Sequence, residues 1–347
     1  MPSLSPEYLG RLSFDRQALS TTRRLGESRG RQQLFVRQYP AQLEQLRTHA
    51  MVESTESSSR IEGVVAGPGR VEDLVVRQTA PRDRSEQEIA GYRDVLQLIH
   101  ESHADMPFNT NVVLQMHSVL NRYLPDGGGR WKPSDNEIVE RDPAGRTVRV
   151  RFTPVSAVAT PGAMARLTDD YRAAVDRGLG DPLVLVPLAV LDFLCIHPFR
   201  DGNGRLARLL SQLLMYHADY RVGRYVSLER IIEESRETYY ETLERSSQGW
   251  HDDAHDPHPW LRYFWGTLLR AYSEFEERVE TLKGSKTEQV RQAVMRRTGP
   301  FTISDIEADC PGVSRDMVRH VLRQMREGGV VAVEGRGPGA RWRRVEL

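Results

Sequence analysis

The sequence is poor in cysteine and in long apolar runs, and each shortage excludes a class of protein. Cys195 and Cys310 are the only cysteines among 347 residues and form no CxxC motif, so we expect neither a disulfide framework nor a thiolate zinc site. No stretch approaches the roughly 20 uncharged apolar residues of a membrane helix. The start of the chain lacks the basic and apolar segments of a signal peptide. These shortages predict a cytoplasmic protein without a membrane partner.

Net charge is also lacking, because 48 Lys and Arg balance 48 Asp and Glu. A zero total argues against a strongly nucleic-acid-binding protein. The charge is unevenly distributed, however: residues 283–347 hold 13 Lys and Arg against 8 Asp and Glu. The exclusion therefore holds for residues 1–282 and fails for the basic segment that follows.

Helical spacing of apolar residues dominates what the sequence does contain. The length fits two or three domains at roughly 100–200 residues per domain. The most apolar segment, 183–196, predicts a buried central helix that tolerates Pro187 near its first turn. Alternation over 137–153, with DPAG as the turn, predicts a β-hairpin. The other helices are predicted near residues 85–104, 110–123, 162–176, 203–218, 227–246 and 258–282.

The pattern changes beyond a short polar boundary at 281–287. Three helices and two strands predict a winged helix-turn-helix over 283–347, with Ser304 and Ser314 as helix N-caps. A glycine run at 335–339 fits the tip of the wing better than a dinucleotide site. Phosphate contacts are predicted for a set of arginines: Arg315, Arg319, Arg323, Arg326, Arg336, Arg341, Arg343 and Arg344. The alternative is a winged helix that contacts protein, so DNA and a homodimer both remain open as partners.

The densest group of reactive residues is the segment HPFRDGNGRLAR at 197–208. His197 follows the apolar helix and can act as a general base near pH 7. Asp201 supplies the hard oxygen ligand that Mg²⁺ prefers. Gly202 and Gly204 allow backbone N–H groups to turn toward an anion at the start of the next helix.

Arg205 and Arg208 are three residues apart on that helix and share a face, while its leucines face the core. Together with the preceding loop, they place a base, a metal ligand, an anion nest and two guanidinium groups in one short segment. Each residue alone is more often structural, but the combination indicates phosphoryl or nucleotidyl transfer.

The same segment resembles the complete signature of the Fic (fido) family, HPFx(D/E)GNGRxxR. Most members of that family transfer AMP from ATP to a Ser, Thr or Tyr hydroxyl of a protein. The resemblance implies that His197 deprotonates the hydroxyl, that Asp201 holds Mg²⁺, and that Phe199 anchors the loop in the core. The implied ATP-binding residues of the signature are Asp201, Gly202, Asn203, Gly204, Arg205, Leu206, Ala207 and Arg208.

A second, weaker match lies upstream in the segment SSRIEG. Ser58, Glu62 and Gly63 resemble the family's inhibitory motif, (S/T)xxxE(G/N), on a helix expected at about 45–63. The resemblance implies that Glu62 pairs with Arg208 and so prevents productive binding of ATP, since one guanidinium cannot serve both partners. In some relatives the corresponding Glu also supports removal of AMP, which stays open here.

Three further positions carry a fainter resemblance. The hairpin at 136–153 lies where the family has a flap that pairs with an extended target segment. Tyr239 and Tyr240 lie where relatives line the adenosine pocket, although helical tyrosines are more often core residues. Trp250 also matches a tryptophan of the family, while Lys132 departs from an expected arginine.

A run of histidines in HDDAHDPH has spacing that resembles a metal site. Pro257 interrupts any helix that would align His251, His255 and His258, so a polar loop is the better interpretation. The sequence has no Walker A motif and no HExxH.

The sequence thus predicts a mainly α protein: an N-terminal region at 1–84, a Fic-type catalytic core at 85–282 and a winged helix at 283–347. The predicted function is a protein adenylyltransferase, acting also on itself and autoinhibited by Glu62. The alternatives are a DNA-binding regulator whose Fic core senses nucleotide, and a Fic enzyme that uses another nucleotide donor or removes AMP.

Overall fold

A computed structural model of the protein describes residues 2–141, 146–282, 286–297, 299–335 and 340–345. The predicted hairpin turn at 142–145, part of the boundary at 283–285, Arg336 and most of the glycine run lie outside these residues. Contacts between Cα atoms divide the chain into two units, residues 1–33 with 43–275 and residues 34–42 with 276–347. Within the described residues, no helix is long and apolar enough to cross a membrane.

The structure is mainly helical, as predicted. The first unit and its continuations contain α1 (Pro6–Arg11), α2 (Arg16–Gln38), α3 (Pro40–Ile61), α4 (Arg70–Val75), α5 (Arg84–Ser102), α6 (Thr110–Leu120), β1 (Ile138–Arg141), β2 (Thr147–Phe152), α7 (Thr160–Asp176), α8 (Pro182–Ile196), α9 (Asn203–His217), α10 (Leu228–Glu234), α11 (Arg236–Ser247) and α12 (His258–Leu282). The chain ends in α13 (Lys286–Met295), α14 (Ile303–Asp309), α15 (Arg315–Glu327), β3 (Val331–Glu334) and β4 (Arg341–Arg344).

Helix α8 is buried on almost every side, which confirms the prediction from its apolar sequence. Pro187 lies well inside the helix instead of near its first turn, since α8 begins at Pro182. A proline cannot donate to the carbonyl four residues earlier. Trp265 Nε1 donates instead to that carbonyl, Leu183 O, at 2.7 Å, and Trp260 Nε1 donates to Pro187 O at 2.8 Å. The Trp265 indole therefore replaces the N–H that Pro187 lacks, and the Trp260 indole adds a second hydrogen bond to the same part of the helix.

The helix predicted at 227–246 is divided into α10 and α11. Ser235 lies at the break, where its hydroxyl donates to Ile231 O at 2.8 Å. Such a bond to a carbonyl of the preceding turn competes with the helical hydrogen bonds and bends the chain. Helix α11, which begins after the break, carries Tyr239 and Tyr240.

The predicted hairpin forms as the antiparallel pair β1–β2, with register irregularities beside Val139 and Glu140. In the C-terminal unit, three helices precede the antiparallel pair β3–β4, around an apolar core that includes Phe301 and Trp342. Ser314 caps α15 as predicted. The predicted cap Ser304 is wrong, because Thr302 caps α14 in a reciprocal pair with Asp305 that satisfies two backbone donors.

Several of the C-terminal arginines make ion pairs within their own unit. Arg315 pairs with Glu307 at 2.5 Å, Arg319 with Asp316 at 3.2 Å, and Arg343 with Glu334 at 3.0 Å. These carboxylates offset part of the positive charge predicted to meet phosphate.

Candidate active site

The loop between α8 and α9 is held in a tight turn. His197 ends α8 in the left-handed conformation, with φ of 50°, and Gly202 precedes α9 with φ of 81°. The fully buried Phe199 anchors the loop. The Asn203 side chain accepts from the Phe199 N–H at 2.9 Å and donates to the Phe199 carbonyl at 2.8 Å. The side-chain amide of Asn203 therefore holds the turn closed between Phe199 and the start of α9.

His117 of α6 supports the same loop, a role that the sequence analysis missed. Its ring stacks on Phe199 with centroids 3.7 Å apart and planes 8° apart. Nδ1 accepts from the Gly129 N–H at 2.9 Å, so Nε2 donates to the Asp201 carbonyl at 3.1 Å. Burial, partly offset by Asp201, lowers the pKa of His117 to about 4. The neutral ring therefore fixes the loop between Phe199 and Asp201.

This histidine makes the stability of the protein depend on pH. An unfolded histidine has a pKa of about 6.5, so between pH 6.5 and 4 the unfolded chain binds a proton that folded His117 does not. The free energy of unfolding therefore falls as the pH falls through this window. Between pH 7.5 and pH 5, the free energy of unfolding is expected to fall by about 2 kcal/mol less in His117→Gln than in wild type. Urea unfolding at the two pH values measures this difference. If the free energy of unfolding of wild type and of His117→Gln fell equally with pH, the neutral state of folded His117 would be contradicted.

The catalytic candidate His197 is also held as a neutral imidazole. Its Nδ1 lies 3.3 Å from the Leu194 carbonyl, to which it donates, and this leaves Nε2 as the proton acceptor. Burial, assisted by nearby Lys132, lowers the pKa of His197 to about 4. Lys132 itself donates from Nζ to the Ile196 carbonyl at 3.2 Å and to Asn136 at 2.7 Å. It therefore stabilises the last turn of α8, beside which His197 lies.

A cavity of about 280 Å³ lies over this loop, between the start of α9, α11 and the hairpin. Nine of the residues singled out from the sequence line it: Glu62, His197, Asp201, Gly202, Asn203, Gly204, Arg208, Tyr239 and Tyr240. Ser58, Gly63, Arg205, Leu206 and Ala207 are not among the residues that line it. Leu206 and Ala207 are fully buried on the core side of α9. The structure thus brings together most, but not all, of the predicted nucleotide site.

Asp201 has the exposure and the free lone pairs that a metal ligand needs. Its side chain is 68% exposed at the rim of the cavity. One carboxylate oxygen accepts from the Gly202 N–H at 2.7 Å, while the other lies 3.4 Å from Arg205. A carboxylate in this position fits a Mg²⁺ that keeps several water ligands.

Arg205 is directed away from the cavity by a partner that the sequence analysis did not find. Its side chain is 3% exposed and donates from Nη1 to Glu88 Oε2 of α5 at 2.8 Å. A buried guanidinium needs such a carboxylate to compensate for lost hydration. The pair joins α9 to α5 beneath the loop, and Glu88 is thus part of the support of the site.

Arg208 makes three hydrogen bonds to the end of α3. It donates to the Ser58 hydroxyl and carbonyl, each at 3.0 Å, and to Glu62 Oε1 at 2.8 Å. The Arg208 side chain is 3% exposed and that of Glu62 is 31% exposed. Burial opposes the charge of Arg208, but Glu62, together with Tyr239 and Tyr92, more than offsets it, so the pKa of the guanidinium is raised. The Glu62 carboxylate also lies where any side chain larger than glycine at position 204 would clash with it.

The far side of the cavity is aromatic and continues into the hairpin. Tyr239 and Tyr240 of α11 pack edge to face, with centroids 5.2 Å apart, beside Arg208. Trp250 donates to buried Asp192 of α8 at 2.6 Å and packs against Phe152 of β2. The hairpin is therefore joined through an indole to the helix that ends at His197.

The HDDAHDPH histidines bind separate partners. His251 pairs with the Thr153 carbonyl at 2.8 Å, His255 with the Ser3 hydroxyl at 2.9 Å and His258 with the Ser13 carbonyl at 2.8 Å. Among the residues that the structure describes, no group of three or more metal-ligating side chains is arranged to hold an ion. His251 and His255 lie in the connection before α12, whereas His258 is the first residue of that helix.

An imidazole, a carboxylate and a glycine-lined helix start around one cavity define a site suited to transfer of a phosphate-containing group. Residues 107–215, which run from the segment before α6 into α9 and include the loop at His197, match the model of the Fic/DOC family. Proteins of this family are typically transferases that use nucleoside triphosphates, generally with a divalent metal.

Solved structures show the same fold. The chain resembles a Fic family protein from Desulfovibrio desulfuricans G20 with 22% identity and a TM-score of 0.62, covering 97% of this chain and 98% of that one. A Fic domain containing signaling protein from Bacteroides thetaiotaomicron VPI-5482 matches with 20% identity and a TM-score of 0.60, covering 75% of this chain and 97% of that one. Fic-1 (aa134 - 508) from C. elegans matches with 21% identity and a TM-score of 0.59, covering 76% of this chain and 72% of that one.

Proposed function

We propose that the protein is a protein adenylyltransferase that transfers AMP from ATP to a hydroxyl of a target protein and is autoinhibited by Glu62. One observation carries the proposal: a single cavity is lined by His197, Asp201, the Gly202–Gly204 backbone and Arg208. These groups can accept a proton, hold a metal ion and neutralise phosphate.

His197 performs the proton transfer in this mechanism. Its Nε2 is free to accept because Nδ1 donates to the Leu194 carbonyl. Nε2 takes the proton of the target hydroxyl, the hydroxyl oxygen forms a bond to the α-phosphorus, and the bond from that phosphorus to the leaving diphosphate breaks. With a pKa lowered to about 4, His197 is neutral and ready to accept a proton at pH 7.

The remaining groups bind and orient the phosphates. The N–H groups at Gly202–Gly204 open α9, where the helix dipole favours an anion. Asp201 would hold Mg²⁺, which when bound supplies charge neutralisation on the phosphates. Tyr239 and Tyr240 offer aromatic surface for the base of the nucleotide at the other end of the cavity.

Glu62 opposes this binding mode in two ways. Its carboxylate pairs with Arg208, the buried guanidinium available to the terminal phosphates. It also lies against Gly204, within the anion nest, so a phosphate there would meet a negative charge. The contacts that hold Glu62 therefore compete directly with a productive pose of ATP.

The target segment is proposed to bind along the hairpin. The sheet has two strands, β1 and β2, so each strand has an edge that does not pair with the other. An extended segment added to such an edge would bring its hydroxyl toward the cavity, which Ile138 and Phe152 also line.

Labelling with radioactive ATP and Mg²⁺ tests the proposal. Removing the Glu62 carboxylate frees Arg208, so Glu62→Gly is expected to label protein roughly 10–100-fold faster than wild type, the equivalent of a charge-assisted hydrogen bond. Glu44→Gly, which removes a 67% exposed carboxylate from α3 away from the cavity, is the control. Absence of labelling in folded Glu62→Gly that still binds ATP would overturn the proposal. If a different nucleoside triphosphate labelled protein and ATP did not, that nucleotide would be the donor in place of ATP.

A further inference from the structure

Arg60 lies on the last turn of α3, between Ser58 and Glu62, and forms an ion pair on the side of the helix away from Arg208. It donates from Nε to Glu233 Oε1 at 2.6 Å and from Nη2 to Glu233 Oε2 at 2.9 Å. Its Nη1 lies 2.7 Å from Glu56 Oε1. Two parallel bonds between a guanidinium and one carboxylate fix both distance and direction.

The pair is shielded enough to matter for the position of α3. Side-chain exposure is 38% for Arg60 and 25% for Glu233. The hydrogen bond to Glu233 raises the pKa of Arg60 despite partial burial. Burial alone would raise the pKa of Glu233, but hydrogen bonds from Arg60 and Ser57, together with the charge of Arg60, hold that pKa below its ordinary value. An exposed pair contributes little, whereas a bidentate, half-buried pair contributes more.

The last turn of α3 is thereby held from two sides. Residues two apart in a helix point to nearly opposite faces, so Ser58 and Glu62 meet Arg208 of α9 while Arg60 meets Glu233 of α10. Beyond the helix, the Glu62 and Val64 N–H groups donate to the Ser59 carbonyl at 3.1 and 2.9 Å. These are terminal hydrogen bonds, which fray readily unless side chains restrain the end of the helix.

We propose that Arg60 and Glu233 are positioning residues that hold the last turn of α3 so that Glu62 stays on Arg208. This inference rests on the proposed function of Glu62. Glu233 lies two residues before the break at Ser235, after which α11 carries Tyr239 and Tyr240 to the cavity. The pair thus links the inhibitory carboxylate to the segment that leads into the aromatic wall of the site.

The test uses the full chain in two backgrounds. In the wild-type background, Arg60→Ala and Glu233→Ala are each expected to raise the labelling rate roughly three- to tenfold, and the double variant no more than either one. In the Glu62→Gly background, Arg60→Ala is expected to change nothing further, because no inhibitory carboxylate remains to be positioned. Arg23→Ala removes an exposed ion pair on α2 and serves as the matched control.

Amide hydrogen exchange supplies a readout that does not need activity. Arg60→Ala is expected to speed exchange at Glu62, Gly63 and Val64 while leaving exchange in α9 unchanged. Unaltered exchange at Glu62, Gly63 and Val64 would overturn the inference. So would additive effects of Arg60→Ala and Glu233→Ala on the labelling rate. Labelling by Glu62→Gly with no gain in Arg60→Ala would overturn the positioning role alone. Absence of labelling in both Glu62→Gly and Arg60→Ala would overturn the proposed function together with this inference.

Discussion

Replacing His197 with alanine in the Glu62→Gly protein is expected to lower the rate of nucleotide transfer by about 10²–10⁴-fold, the usual contribution of a general base. The expectation follows from the geometry of the ring, in which the bond from Nδ1 to the Leu194 carbonyl leaves Nε2 to accept a proton within the cavity. Initial rates of labelling from ATP measure the effect. ATP affinity is the control, since His197 lies at the proton-transfer end of the site.

The pH profile separates a base from a merely structural histidine. Since burial lowers the pKa of His197 to about 4, the deprotonated form dominates above about pH 5. The rate in Glu62→Gly is therefore expected to rise from pH 3.5 to pH 5 and then to be level to pH 8, within the range where the fold survives. A rate in His197→Ala close to that of its parent would refute the role of base.

Phe199→Ala is expected to lower the free energy of unfolding by about 3–5 kcal/mol, the range for a fully buried phenylalanine. The loss has two parts: a cavity in the core, and removal of the ring on which His117 stacks. Urea unfolding at pH 7.5 measures it. Val158→Ala, at a position that is 95% exposed, is expected to change stability by less than about 0.5 kcal/mol.

A small effect of Phe199→Ala would mean that the loop is held mainly by the amide of Asn203. Phe199→Leu refines the comparison, because it restores most of the volume without the stacked ring. We expect it to recover more than half of the lost stability, with the remainder assigned to the contact with His117.

The local parts of the site could be predicted from the sequence because their information is local. Gly202 opens α9, and the His197 loop follows an apolar helix that reads as buried from its composition. The partners of these residues could not be predicted, because they come from distant segments. His117 is an unremarkable residue on a helix until its ring is found on Phe199, and Glu88 reads as an ordinary surface charge until it meets Arg205.

Two predictions were wrong because neighbouring residues compete for the same backbone groups. Ser304 and Thr302 are both good helix caps, and only the reciprocal bond from Asp305 selects Thr302. The segment 227–246 has continuous helical spacing, but the Ser235 hydroxyl takes a carbonyl of the preceding turn and divides it. Pattern analysis finds that a helix exists more readily than where it ends.

The indoles around α8 have a spectroscopic consequence. Trp250, Trp260 and Trp265 each donate an N–H to this one helix, to Asp192, Pro187 O and Leu183 O. They are three of the five tryptophans in the chain. The intrinsic fluorescence of the protein is therefore weighted toward the helix that ends at His197, and a loosening of that helix would expose these indoles to water and shift the emission to longer wavelength without any added label.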